Sequence, residues 1–74
     1  MSKSIIILQM YDALLSGQEL NVTQCCQKFN ISVSTFYRYI NTVRAFVWEK
    51  DLTEVYYDPK TLTYKLVQPA SKEA

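Results

Sequence analysis

Apolar residues recur at helical spacing in three stretches of the chain and at a spacing of two after residue 50. In residues 4–16, Ile7, Leu8, Tyr11, Leu14 and Leu15 form one apolar stripe, which predicts a first helix. Ile5, Ile6 and Met10 widen that stripe beyond the needs of one small core, so they are the candidate dimer surface. Ser4 suits the start of this helix, and Gly17 suits a left-handed stop. A second helix is predicted from about Val22 to Phe29. Asn21 and Gln24 resemble a capping box at its start, and Leu20 is placed to pack on Cys25 as a hydrophobic staple. Asn30 and Ile31 form a short turn, and asparagine tolerates the left-handed backbone that a sharp turn requires.

A third helix begins after Ser32, a good N-cap. Phe36, Ile40, Val43 and Val47 fall at i, i+4, i+7 and i+11 and predict its buried face. Ser34, Arg38, Asn41 and Ala45 lie opposite, flanked by Thr35, Tyr37 and Arg44. Beyond residue 50, Val55 and Tyr57 alternate with Glu54 and Tyr56, and Leu62, Tyr64 and Leu66 alternate with Thr63, Lys65 and Val67. Between the two runs, Asp58-Pro59-Lys60-Thr61 reads as a turn: proline presets φ, and the aspartate can bond the backbone ahead. The result is a β-hairpin. A lone two-stranded hairpin is barely stable in water, so it must lie on the helices. The expected fold is α+β, mainly α: a winged helix-turn-helix of three helices and a two-stranded wing over residues 1–67. Residues 68–74 are expected to be a flexible tail.

Seventy-four residues allow one domain, and 49 % of them are hydrophobic, which is enough for a real core and excludes a disordered chain. The net charge of +1 is small for a nucleic-acid binder. Its distribution is more informative. Residues 21–48 contain Lys28, Arg38 and Arg44 and no acid, whereas Glu49, Asp51, Glu54 and Asp58 crowd the next ten positions. The helix-turn-helix layout of this acid-free interval makes double-stranded DNA the first partner to consider, and a basic face beside an acidic rim is consistent with it without demanding it.

The chemistry follows from the residue types. The N-terminus of the third helix, from Ser32, offers free backbone N–H groups and a partial positive charge to a phosphate. Arg38 suits a guanine edge or a phosphate. Ser34, Thr35, Tyr37 and Asn41 can donate to base edges or phosphates, and Arg44 is placed for the backbone. Lys60 at the hairpin tip suits flanking phosphate or minor groove, and Lys65 suits the same from the strand. Trp48, Tyr56, Tyr57 and Tyr64 read as the aromatic glue between wing and helices, with a partner surface as the alternative.

Other functions lack the residues they need. The chain has no histidine, no glycine-rich phosphate loop and no nucleophile–base pair, so neither catalysis nor a cofactor is expected. Two thiols without histidine cannot close a zinc site within one chain, which leaves only a site shared between two chains. Cys25 and Cys26 are neighbours, poorly placed for a mutual disulfide, and point to a reduced, cytoplasmic setting. The apolar run at residues 5–8 is too short to span a membrane.

The run C-C-Q-K-F-N-I-S-V-S-T-F-Y-R-Y-I resembles the helix-turn-helix core of DeoR-type regulators and of the winged helix that precedes WYL domains. Their usual pattern is L-A-x-x-F-x-V-S-x-x-T-I-x-R-D-I. Cys25 and Cys26 stand at its Leu-Ala pair, Phe29 at its Phe, Ile31 at its Val and Ser32 at its cap. Thr35, Phe36, Arg38 and Ile40 match the remainder. The closing Thr63-Tyr64-Lys65-Leu66 is similar to the family wing, which often ends G-Y-x-L. Tyr39 replaces the usual aspartate and Thr63 the usual glycine. The chain ends where those regulators continue into an effector or oligomerisation domain, so built-in ligand sensing is not expected. The resemblance implies DNA binding for transcriptional regulation, and the small stand-alone size resembles a phage or mobile-element protein: a transcription regulator, an excisionase-like architectural factor or an inhibitor of another DNA-binding machine. A homodimer is expected because one small winged helix has limited contact area and a dimer reads two half-sites. The alternative expectation is a winged-helix protein-interaction module, an inhibitor or adaptor acting on another protein.

Overall fold

The computed structural model describes residues 2–67. The expected tail, residues 68–74, lies outside the described residues. Three helices, α1 (Lys3–Leu15), α2 (Val22–Phe29) and α3 (Val33–Asp51), are followed by the hairpin strands β2 (Glu54–Asp58) and β3 (Thr63–Val67). A two-residue strand β1 (Leu20–Asn21) precedes α2 and pairs antiparallel with β3, so the sheet order is β1-β3-β2. This is the α+β winged-helix architecture, with one strand more than the hydrophobic pattern predicted.

Local chemistry accounts for the element boundaries. The α1 start is capped by Ser2, whose Oγ accepts from the Ile5 N–H at 3.3 Å; Ser4 lies inside the helix. At the other end Gly17 takes φ +88°, and the paired bonds Gly17 N to Leu14 O and Gln18 N to Ala13 O close a Schellman stop. Asn21 Oδ1 accepts from Gln24 N at 2.9 Å, capping α2. Asn30, at φ 56° and ψ 52°, ends α2, and Ile31 N donates to Cys26 O at 3.0 Å. Asp58 Oδ1 accepts from Lys60 N at 2.9 Å, the side-chain-to-backbone bond expected of this turn.

The core joins one face of every helix to the inner face of the sheet. Phe36, Ile40, Val43 and Val47 of α3 are all buried, as their spacing requires. They meet Leu20, Val22, Cys25 and Phe29 on one side and Val55 and Tyr64 on the other. Leu20 and Cys25 share this cluster, consistent with the staple.

Helix α1 corrects two expectations. Ile6, Met10 and Leu14 face the core, with Met10 fully buried. Ile6 and Met10 therefore cannot form a free dimer surface; of that expected trio only Ile5 is exposed, at 48 %. Leu8 and Leu15, expected in the core stripe, are 63 % and 53 % exposed. The reason is rotational: the helix is apolar on nearly every side, and docking on α3 selects the face that contains Met10. None of the helices among the described residues is long and apolar enough to cross a membrane.

Candidate nucleic-acid interface

The first turns of α3 set the surroundings of Ser32, Ser34, Thr35, Arg38 and Asn41. Ser32 Oγ accepts from Thr35 N at 3.1 Å and donates to Thr35 Oγ1 at 3.0 Å. Its hydroxyl is thus engaged in the cap. Thr35 is half-buried, and Arg38 Nη2 lies 3.5 Å from its Oγ1, a long contact that leaves the guanidinium mostly free. Ser34, Arg38 and Asn41 are exposed and project from successive turns of the side opposite the core. Arg38 also anchors the next turn, since its carbonyl accepts from Thr42 Oγ1 at 3.2 Å.

Tyr37 and Arg44 border the wing. Tyr64 is buried with its ring 5.7 Å from Phe36 and 4.7 Å from Tyr57, and Tyr37 packs edge-on to Phe36 at 5.9 Å. Burial and the neighbouring Tyr37 and Tyr57 push the Tyr64 hydroxyl above the usual tyrosine range, against the opposing charge of Arg44. Tyr57 and Tyr64 are therefore the glue expected of them, whereas Trp48 and Tyr56 are about half exposed. Lys60 and Lys65 are exposed on the wing, and their described partners lie there too: Asp58 for the Lys60 backbone, and the Tyr56 ring 6.0 Å from Lys65 Nζ.

One residue does more than its spacing revealed. Asn21 caps α2 through Oδ1 and also donates from Nδ2 to the Thr61 carbonyl at 3.1 Å. Beside it, Val22 N donates to Leu62 O at 3.0 Å. These bonds fasten the wing tip to the start of the helix-turn-helix. Nothing local announces a partner forty positions away; only a third strand would have signalled it, and two residues are too few to show alternation.

The acidic rim is divided: Asp58 sits in the wing turn beside Lys60, whereas Glu54 lies at the start of β2 and Glu49 and Asp51 at the end of α3. Glu54 lines a groove of about 500 Å³ between α3 and β2, together with Arg44, Trp48 and Thr53. The cysteines carry no comparable site. Cys25 is buried, which pushes its thiol up, and the described residues contain no cluster of three or more metal-ligating side chains.

A tri-helical core, a short α2–α3 turn and a braced hairpin define a winged helix-turn-helix, a binding fold and not a catalytic one. Residues 1–67 match the Mga helix-turn-helix domain. The chain belongs to that family, and fold and family together make it a DNA-binding helix-turn-helix domain. Comparisons with curated proteins and with solved structures gave no match.

Proposed function

We propose that α3 reads duplex DNA in the major groove while the wing holds the adjacent backbone, and that the domain acts in transcriptional control in the cytoplasm. The observation that carries this reading is the outward face of α3: Ser34, Arg38 and Asn41 are exposed on successive turns, within an interval from Leu20 to Trp48 that has no acidic residue. Arg38 is the base-reading group, Arg44 and Lys65 meet phosphate, and Lys60 works from the wing tip. A DeoR-type core and a phage or mobile-element origin are finer parts of the same proposed reading.

Pairing of two copies completes it, because one domain this small covers a short site and a dimer reads two half-sites. With Ile6 and Met10 in the core, the second copy would be met by Ile5, Leu8 and Leu15.

Selection from a pool of random duplexes, with affinity followed across salt, tests the proposal. The expected result is an enriched motif and a log affinity that falls linearly with log salt. Absence of binding at low salt would overturn it. That outcome favours the second reading, a protein-interaction module, which draws on the acidic rim at Glu49, Asp51, Glu54 and Asp58 and on the apolar outer side of α1.

A further inference from the structure

Asn30, Leu52 and Leu62 are the non-glycine residues with positive φ among those described, at 56°, 57° and 57°. Asparagine visits this region readily; leucine does so only under constraint, because its Cβ crowds the following carbonyl. At Leu52 the constraint is a helix stop: Leu52 N bonds Trp48 O, and Thr53 N bonds Val47 O. At Leu62 it is the bracing of the wing tip. The Leu62 carbonyl accepts from Val22 N, the preceding Thr61 carbonyl accepts from Asn21 Nδ2, and the hydroxyls of Thr61 and Thr63 lie 2.7 Å apart.

All of those bonds at Leu62 use backbone or neighbouring groups. Glycine or asparagine would meet the same backbone demand with less strain. The leucine side chain is therefore not explained by the turn, and it stands 45 % exposed at the tip, two residues from exposed Lys60, while the Asp58 carboxylate of the same turn is engaged by the Lys60 N–H. A large apolar group on a braced hairpin, beside a cation, matches the chemistry of minor-groove wedges, in which phosphate attraction seats the tip and an apolar side chain enters between base steps.

We infer that Leu62 is an apolar wedge that the wing inserts into the minor groove of duplex DNA beside the α3 site. This rests on the DNA reading above and adds a residue and a mode of contact to it. The wedge favours flexible pyrimidine–purine steps, which open at low cost.

The test compares Leu62→Gly with Leu52→Gly on the selected duplex. Both relieve the same backbone strain, at opposite ends of the hairpin. Affinity, salt slope, thermal midpoint and DNA bending by end-to-end fluorescence transfer are measured. The wild type is expected to bend the duplex by roughly 20–90°. Leu62→Gly should keep the wild-type thermal midpoint or exceed it, keep the salt slope, lose the bend and lose about ten-fold in affinity, since about half a leucine's burial is forfeited. Leu52→Gly should bind and bend as the wild type does. Leu62→Asn, which tolerates the backbone, repeats the test if the glycine variant fails to fold. A wild type that binds without bending, a Leu62→Gly that binds and bends normally, or a Leu52→Gly that loses as much, would each overturn the wedge alone. A wild type that binds no duplex would overturn the DNA reading itself.

Discussion

Helices α1 and α3 resemble each other on the inside and differ on the outside. Each presents a buried apolar face to the same cluster, through Ile6, Met10 and Leu14 in one and Phe36, Ile40, Val43 and Val47 in the other. On the outside α1 shows Ile5, Leu8 and Leu15 among Ser4, Gln9 and Asp12, whereas α3 shows Ser34, Arg38 and Asn41 on its first turns and apolar Phe46 and Trp48 towards its end. The outer side of α1 has little to offer a hydrated polyanion, and that of α3 offers hydrogen-bond donors and positive charge. Two helices of one core thus offer different chemistry on their outer sides, and under the DNA reading proposed above that difference separates what keeps the domain folded from what it touches.

The largest effects test the shared inside. Phe36→Ala and Met10→Ala remove fully buried side chains and should cost about 3–5 and about 2–5 kcal/mol of stability respectively, measured by denaturant unfolding. In a domain of this size either change brings the chain near the point of unfolding. A small loss at Met10 alone would mean that α1 is less firmly docked than α3.

The outer sides should then separate cleanly. Arg38→Ala is expected to weaken specific DNA binding by about 1–3 kcal/mol and to leave stability within about 0.5 kcal/mol of wild type. Leu8→Asp should likewise spare stability, yet lower the sedimenting mass at concentrations where the wild type pairs. Unchanged mass would remove α1 from the dimer; unchanged binding would remove Arg38 from the DNA contact.

Asn21→Ala should come next, at about 1 kcal/mol for the lost α2 cap, within a usual range of about 0.5–2. Asn21→Ser keeps a capping hydroxyl but loses the amide donor to Thr61. Wing-tip amides should exchange faster than in the wild type in both variants; a serine variant that exchanges as slowly as the wild type would show that the cap, and not the clamp, steadies the wing.

The smallest effect is with pH. Tyr64, which seals the inside of α3 to the wing, and Cys25 both have their ordinary values raised by burial. Their protonated forms favour the folded state, so their contribution is fully present below the unfolded values, about 8.5 for cysteine and about 10 for tyrosine, and is lost as pH rises through the folded ones. Stability should be flat near neutrality and decline in alkali, and Tyr64→Phe should blunt the upper part of that decline.

What the amino-acid pattern revealed follows the same division. The inside of α3 was legible because Phe36, Ile40, Val43 and Val47 recur at helical spacing opposite Ser34, Arg38 and Asn41. The caps at Asn21 and Ser32, the left-handed Asn30 and the Asp58 turn were legible because each residue type has a local mechanism. The orientation of α1 was not, since Ile5 through Leu8 supply apolar candidates for every direction and only contact with α3 decides among them. Strand β1 was hidden by its length. The left-handed Leu52 and Leu62 were hidden because leucine carries no local preference for that backbone. On the outer side of α3 the pattern named the candidate contact residues, and the structure adds which of them are engaged: Ser32 in its cap, Arg38 nearly free.

Strand β3 is the last element of the chain among the described residues, yet it lies in the middle of the sheet, with β1 on one side and β2 on the other. During synthesis the three helices can emerge and begin to associate while neither outer strand has its partner. Only when the segment around Tyr64 leaves the ribosome do both pairings, and the ring that closes on Phe36, become available together. The sheet is therefore completed in one late step, and a nascent chain stopped before Thr63 would hold its helices without a wing.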